Sequence, residues 1–267
     1  VQELLQRIAM KLVDAVMAII PRRAPSRSSL ERCKIVSHRG EHDTLTILEN
    51  TLAAYEQARS AGVWGIEGDI RFTADLVPVI CHDATAERVF GQAVTIADTR
   101  FSDLRQALPQ IPSLEEVIAE FGGSTHLMLE IKEEPRPDLD RQKQCLQDLL
   151  STLEPIRDFH MLALKPGLFE LVDFLPPDSL LPVSELNPGQ MSRAAIDHGY
   201  AGVAGHYLLV GSRIQRVHTA SGQRIGTGFP ASRNCLFREL NRDVEWIFSD
   251  NAVKLQRIRN QQLSVTP

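Results

Sequence analysis

No Cys-x-x-Cys pair occurs in this sequence; its four cysteines, Cys33, Cys81, Cys145 and Cys235, stand far apart, which excludes a zinc ribbon or a redox motif. They read as thiols of a reducing compartment, so a cytoplasmic location is expected, at a membrane surface if the first helix docks there. The sequence also lacks any apolar run near the ~18 residues that a bilayer span needs. The longest candidate, 8–20, is broken by Lys11 and Asp14. Positive charge is not in excess either: 29 Lys and Arg face 34 Asp and Glu, a net charge of −5. Without a broad positive field, no nucleic-acid partner is expected. Low-complexity tracts, internal repeats and a secretory signal with a long clean apolar core are missing too. What is there is 267 residues, 43% hydrophobic and 24% charged, which supplies both a full core and a polar surface.

Residues 1–20 place Leu4, Leu5, Ile8, Leu12, Val16 and Ile19 at helical spacing, with Gln6, Arg7, Lys11 and Asp14 largely off that stripe. The pattern predicts an amphipathic helix that Pro21 ends, followed over 21–29 by a polar linker rich in helix breakers. The expected division is therefore 1–32, helix and linker, and 33–267, the main domain. Amphipathic helices mostly face a core, so this one is expected to pack across the end of the domain or against a second copy in an oligomer. The alternative is a peripheral membrane contact, because Lys and Arg flank the apolar face.

From Lys34 onward strand patterns alternate with helix patterns. Strands are predicted over 35–38, 65–70, 127–131, 160–164, 180–183, 201–205, 224–227 and 245–249. Helices are predicted over 50–61, 113–121, 139–153, 167–174, 189–198, 212–220, 232–240 and 252–260. Eight of each in alternation is the pattern of an α/β fold whose parallel sheet closes into a TIM (β/α)8 barrel. The run 77–82 is a further strand, too close to its predecessor for a parallel crossover. It must return antiparallel, bringing His82 back toward the C-terminal end of the second strand, where barrels carry out chemistry.

Polar residues gather at those ends: Ser37-His38-Arg39-Gly40, Glu67-Gly68-Asp69, His82-Asp83 and Glu130-Ile131-Lys132. Alternation along a strand puts Glu67 and Asp69 on one face, and likewise Glu130 and Lys132. Carboxylates crowded on one face repel unless a cation sits among them or one is protonated. Glu67, Asp69 and Glu130 would suit a hard divalent ion, Mg or Ca, which takes oxygen ligands. Thiolate ligation is not expected, since only Cys81 lies near. Arg39 and Lys132 supply fixed positive charge for an anionic substrate, a guanidinium being able to grip phosphate bidentately. Lys132 also reads as a plain ion-pair partner of Glu130. His38 and His82 suit a general acid and a general base; His82 alternatively suits metal ligation, a role that competes for the same lone pair. Asp83 reads as an orienting partner of His82 or as a cap of the loop after it, not as a catalytic group. Lys165 and His206 fall at the rim, where substrate contact and plain solvation are balanced readings, and His42, His126, His160, His198 and His218 read as structural.

These stretches, together with Glu49-Asn50-Thr51-Leu52-Ala53-Ala54-Tyr55 and Ile111-Pro112-Ser113-Leu114-Glu115-Glu116-Val117, resemble the glycerophosphodiester phosphodiesterase family over about 100 residues. The resemblance implies a TIM barrel that hydrolyses a small-molecule glycerophosphodiester to glycerol 3-phosphate and an alcohol with a divalent cation. It matches His38 and His82 to the acid/base pair, Glu67, Asp69 and Glu130 to the metal ligands, and Arg39, Glu49 and Lys132 to substrate-organising positions. Departures from the family's pattern are Leu48 in place of proline, after a loop 41–47 that would lid the site, and Gly226-Thr227-Gly228-Phe229 along the wall facing the alcohol. Ile247-Phe248-Ser249-Asp250 resembles the family's last strand. Only 48 positions separate His82 from Glu130, too few for a large cap, so the glycerol side is expected to be open. The alternatives are a phospholipase D-type enzyme acting on lysophospholipids or sphingolipids, and a non-catalytic barrel that binds phosphodiesters.

Overall fold

The structure is a computed structural model describing residue 13 and residues 15–266. Nine strands form one sheet: β1 (Lys34–Ser37), β2 (Gly65–Phe72), β3 (Pro78–Ile80), β4 (His126–Ile131), β5 (Phe159–Ala163), β6 (Leu180–Ser184), β7 (Gly202–His206), β8 (Arg224–Gly228) and β9 (Trp246–Ser249). Parallel pairing runs β1-β9-β8-β7-β6-β5-β4-β2 and closes through β1 on β2, so eight strands make the expected barrel. β3 is the antiparallel return arm, with Ile70 opposite Ile80 and Phe72 opposite Pro78.

Ten α-helices are described: α1 (Arg27–Arg32), α2 (Leu52–Ser60), α3 (Glu87–Phe90), α4 (Phe101–Ala107), α5 (Leu114–Phe121), α6 (Leu139–Leu150), α7 (Pro188–His198), α8 (Ser212–Ala220), α9 (Arg233–Leu240) and α10 (Ala252–Val265). Five of the ten begin at a capping side chain, Ser26, Thr51, Ser113, Asp138 or Ser232. Ser113 accepts from the Glu116 N–H while Glu116 returns a bond to the Ser113 N–H, a reciprocal capping box. Alternation sorts the strand side chains. Ile35, Ile66, Leu127, Leu129, Val203 and Ile247 pack outward under the helices, and Val36, Met128, Leu162, Leu181, Ala204, Trp246 and Phe248 fill the barrel.

The N-terminal mouth is plugged by rings. Trp64 stacks on His126 at 4.2 Å, His126 Nε2 meets His160 Nδ1 at 2.8 Å, and His160 sits edge-on to Trp246. His126 Nδ1 lies 3.0 Å from the Arg157 carbonyl, which can only accept, so Nδ1 carries the hydrogen and Nε2 accepts from His160. Burial lowers both pKa values, to about 4 for His126 and about 3 for His160.

Three expectations change. The linker expected over 21–29 gives way to α1 from Arg27, because Ser26 caps it and fully buried Leu30 anchors it; such burial contributes ~1.5–3 kcal/mol. The helix expected over 167–174 is a 3-10 segment, Pro166–Val172, and α3 and α4 occupy a stretch assigned no helix. Most of the amphipathic stripe, Leu4, Leu5, Ile8 and Leu12, lies outside the described residues. Of the rest, Val16 is exposed and Ile19 is 76% exposed, so this part does not bury the stripe on the barrel. Among the described residues no helix is long and apolar enough to cross a membrane.

Candidate active site

Glu67 and Asp69 project from the same face of β2, and the register pairs Asp69 directly with Glu130 on β4. All three are buried, and ligand oxygens of the trio lie within 4.8 Å of one another. Between the two β2 carboxylates, Gly68 turns to the opposite side, where a Cβ would fall 2.2 Å from the Tyr55 hydroxyl. Only glycine lets Tyr55 come that close. Its hydroxyl donates to Asn50 Oδ1 at 2.9 Å, and Asn50 Nδ2 donates to Asp69 Oδ2 at 2.8 Å.

Two cations face the trio. Lys132 Nζ lies 2.5 Å from Glu130 and 3.0 Å from Asp69, and Arg39 Nε lies 3.5 Å from Asp69 Oδ2. Burial opposes ionisation of Asp69, but Lys132 and Arg39 hold its carboxyl well below the usual range. Burial and the Asp69 charge instead push Glu67 and Glu130 up. Three carboxylates against two cations leave one uncompensated. A divalent ion would supply the missing charge, and an all-oxygen donor set suits Mg or Ca. The trio therefore fits such an ion.

Each imidazole rests on a carboxylate. His38, immediately after β1, sets Nδ1 2.5 Å from Asp250 Oδ1 and Nε2 3.9 Å from Glu67 Oε2. Burial lowers its pKa, but the Asp250 bond and the Glu67 charge outweigh that, and the net shift is upward. His82, after β3, sets Nδ1 2.6 Å from Asp83 Oδ1. Burial dominates there and the net shift is downward, although Asp69 opposes it. Arg71 fixes the His82 backbone through Nε and Nη2 bonds of 2.9 and 2.7 Å to its carbonyl. Arg39 has a left-handed backbone, φ 58°, and its N–H donates to Glu67 Oε2 at 3.0 Å while Nη1 donates to Glu49 at 2.9 Å. Gly40 follows at φ 80°, pressed against Ala54 where a Cβ would meet atoms at 2.7 Å. Turn and close approach both demand glycine.

The profile of the glycerophosphoryl diester phosphodiesterase family matches residues 38–167, which contain the trio and both histidines. Over residues 38–167, just under half of its length, the chain is similar to this family. It is 35% identical over 116 residues to glycerophosphodiester phosphodiesterase 1 of Bos taurus, covering 36% of this chain and 34% of the relative. The chain thus spans about a third of that relative's length. Among solved structures, glycerophosphodiester phosphodiesterase of Thermotoga maritima superposes with a TM-score of 0.69 at 19% identity, covering 85% of this chain and 98% of that one. An Oleispira antarctica phosphodiesterase in complex with the product sn-glycerol-3-phosphate gives 0.70 at 21% identity, covering 85% and 96%.

Sequence reasoning passed over several groups that organise this site: Asn50, Arg71, Arg88 and Glu134, with Asp250 noticed only as part of a strand ending. Extending the two-residue alternation from Glu67 and Asp69 reaches Arg71, and from Glu130 and Lys132 reaches Glu134, which pairs with Arg71 at 3.2 Å. Of the rim residues, Lys165 pairs with Glu133 at 2.6 Å and His206 is buried, its ring stacked 5.8 Å from Phe229. The loop 41–47 folds on itself, Asp43 Oδ1 accepting the N–H groups of Leu45, Thr46 and Ile47, with Leu45 in solvent. Phe229, at φ 73°, stands edge-on to His38 at 5.5 Å.

Proposed function

We propose that this chain is a divalent-cation-dependent phosphodiesterase that hydrolyses glycerophosphodiesters to glycerol 3-phosphate and an alcohol. The observation that carries the reading is a buried carboxylate trio at the same barrel mouth as two imidazoles, each oriented by its own carboxylate. Glu67, Asp69 and Glu130 would hold Mg or Ca, which neutralises phosphoryl oxygens and acidifies a hydroxyl beside it. Arg39 and Lys132 bind the remaining phosphate charge, and Glu49 keeps Arg39 in place.

The histidines divide the proton work according to their environments. His82, its pKa lowered, stays neutral and accepts the proton of the attacking hydroxyl, whether from water or from the adjacent glycerol carbon. His38, its pKa raised by Asp250 and Glu67, donates to the departing alcohol oxygen. The test is release of glycerol 3-phosphate from glycerophosphocholine and glycerophosphoethanolamine. It is expected with Mg2+, Ca2+ or Mn2+ and lost on chelation and in His38→Ala and His82→Ala. Clean protein that binds these diesters without turnover under any of the three ions would make the chain a binding barrel instead.

A second reading, a phospholipase D-type enzyme on lysophospholipids, has its own observation. Three adjacent strands, β6, β7 and β8, end in loops bearing exposed Leu186, Leu208, Leu209 and Phe229, an apolar wall beside His38. An acyl chain would lie there and at a peripheral membrane surface. Turnover of lysophosphatidylcholine above that of glycerophosphocholine would select this reading, and the reverse ranking would reject it.

A further inference from the structure

Arg88, on the four-residue helix α3, sits one step back from the reacting groups and joins two arms of the site. Its Nε donates to Asp83 Oδ2 at 2.5 Å, Nη1 to Glu49 Oε2 at 3.0 Å and Nη2 to Glu49 Oε1 at 2.7 Å. Asp83 turns its other oxygen to His82 Nδ1, and Glu49 Oε1 also accepts from Arg39 Nη1. One guanidinium thus ties the carboxylate that orients an imidazole to the carboxylate that orients the phosphate-facing arginine. A planar fork with donors along two edges can bridge two carboxylates in this way, whereas a single ammonium cannot hold both in one plane.

The consequence for His82 is a fixed tautomer. An ionised carboxylate only accepts, so the bond to Asp83 puts the hydrogen on Nδ1 and leaves the lone pair on Nε2. Asp83 is 26% exposed at its side chain, and without Arg88 its bond to His82 Nδ1 is left to hold it against competing water. Glu49, buried between Arg88 and Arg39, would lose one of its two arginines.

We propose that Arg88 is a positioning residue: it locks Asp83 and Glu49 together, so that His82 keeps its Nδ1–H tautomer and Arg39 keeps its orientation toward the substrate phosphate. The proposal rests on the roles given above to His82 and Arg39. Partners of this kind, acting through the groups they orient, typically carry ~10–100-fold in activity.

Arg88→Ala is expected to lower kcat/KM on glycerophosphocholine ~10–100-fold with little change in thermal midpoint. Because the Arg88 side chain is 40% exposed, its removal opens a solvent-accessible gap, and added guanidinium should recover part of the loss. Arg88→Lys should recover less, and Arg88→Ala should add little to a chain already carrying Asp83→Asn and Glu49→Gln. Long-range proton–nitrogen spectra of the imidazoles give a readout that needs no turnover. His82 should show the Nδ1–H form in the native protein and a mixture in Arg88→Ala. If the native protein hydrolyses no diester but the tautomer shifts as stated, the functional reading fails and the positioning role stands. An unchanged tautomer, or a loss that guanidinium does not relieve and that adds fully to the double variant, would overturn the role.

Discussion

Two arcs of one barrel mouth are built from opposite chemistry. From β9 through β1 and β2 to β4, the strand ends carry Asp250, His38, Arg39, Glu67, Asp69, Glu130 and Lys132, with His82 added by the hairpin. From β6 to β8 they carry Ser184, His206, Gly228 and then Leu186, Leu208, Leu209 and Phe229 on the loops. The family profile covers 38–167 and stops before the second arc begins. The strands of the second arc still close the same ring, because closure needs only alternating apolar strands of matched length. Chemistry at one arc tolerates little change, since buried charges must be matched one to one, while an apolar wall accepts many residues of similar volume.

The comparison breaks most easily on the charged arc. Removing a general acid or base typically costs ~10²–10⁴-fold, so His38→Ala and His82→Ala should fall in that range in a steady-state assay, and near-normal rates would remove either from the proton work. Asp250→Asn comes next. Losing the carboxylate lowers the His38 pKa, and an acid must be protonated to act, so the alkaline limb of the kcat profile should move to lower pH. A limb that stays in place would detach Asp250 from His38. Gly68→Ala forces Tyr55 away from Asn50 and should cost ~1–3 kcal/mol, read from denaturant melts; an unchanged midpoint would show that the contact yields freely. The smallest effect belongs to the apolar arc. Phe229→Ala should raise KM only a few-fold, about 1 kcal/mol, and only for diesters with an apolar alcohol. Equal effects on glycerophosphocholine and on a long-chain analogue would mean that the wall does not read the alcohol.

A separate pH effect arises at the opposite end of the barrel. His126 and His160 are buried neutral, with pKa values near 4 and 3, below the unfolded value of ~6.5. Their stability contribution is intact above that value and is lost as pH falls through the folded values, on the order of 3 kcal/mol from His126 alone. Melts between pH 7 and pH 4 should show this slope, and a His126→Gln variant should show less of it.

The barrel was legible because each strand patch is a short apolar run and each helix a separate period, so eight alternations admit few folds. The trio was legible because period-two alternation is local, and both histidines were legible as candidates because each stands at a strand end on the mouth where barrels carry out chemistry. What escaped was non-local or local in a different way. Asp250 reaches His38 across 212 positions, and no pattern within one strand announces that contact. Arg88 joins Asp83 and Glu49, 5 and 39 positions away, from a helix of one turn whose core is the small cluster of Ala86, Ile96, Leu104 and Leu108 rather than the barrel. The segment 21–29 looked like a linker because prolines and serines dominate it, yet Ser26 serves there as a helix cap.

The most direct test of the account is calorimetric titration of the protein with Mn2+, alongside thermal melts. One ion per chain is expected, with a melting temperature that rises with ion concentration, a stabilisation of about 2.7 kcal/mol at one hundred times Kd, and loss of both in Glu67→Gln. Binding and stabilisation that persist unchanged in Glu67→Gln, or that never appear in the native chain, would contradict it.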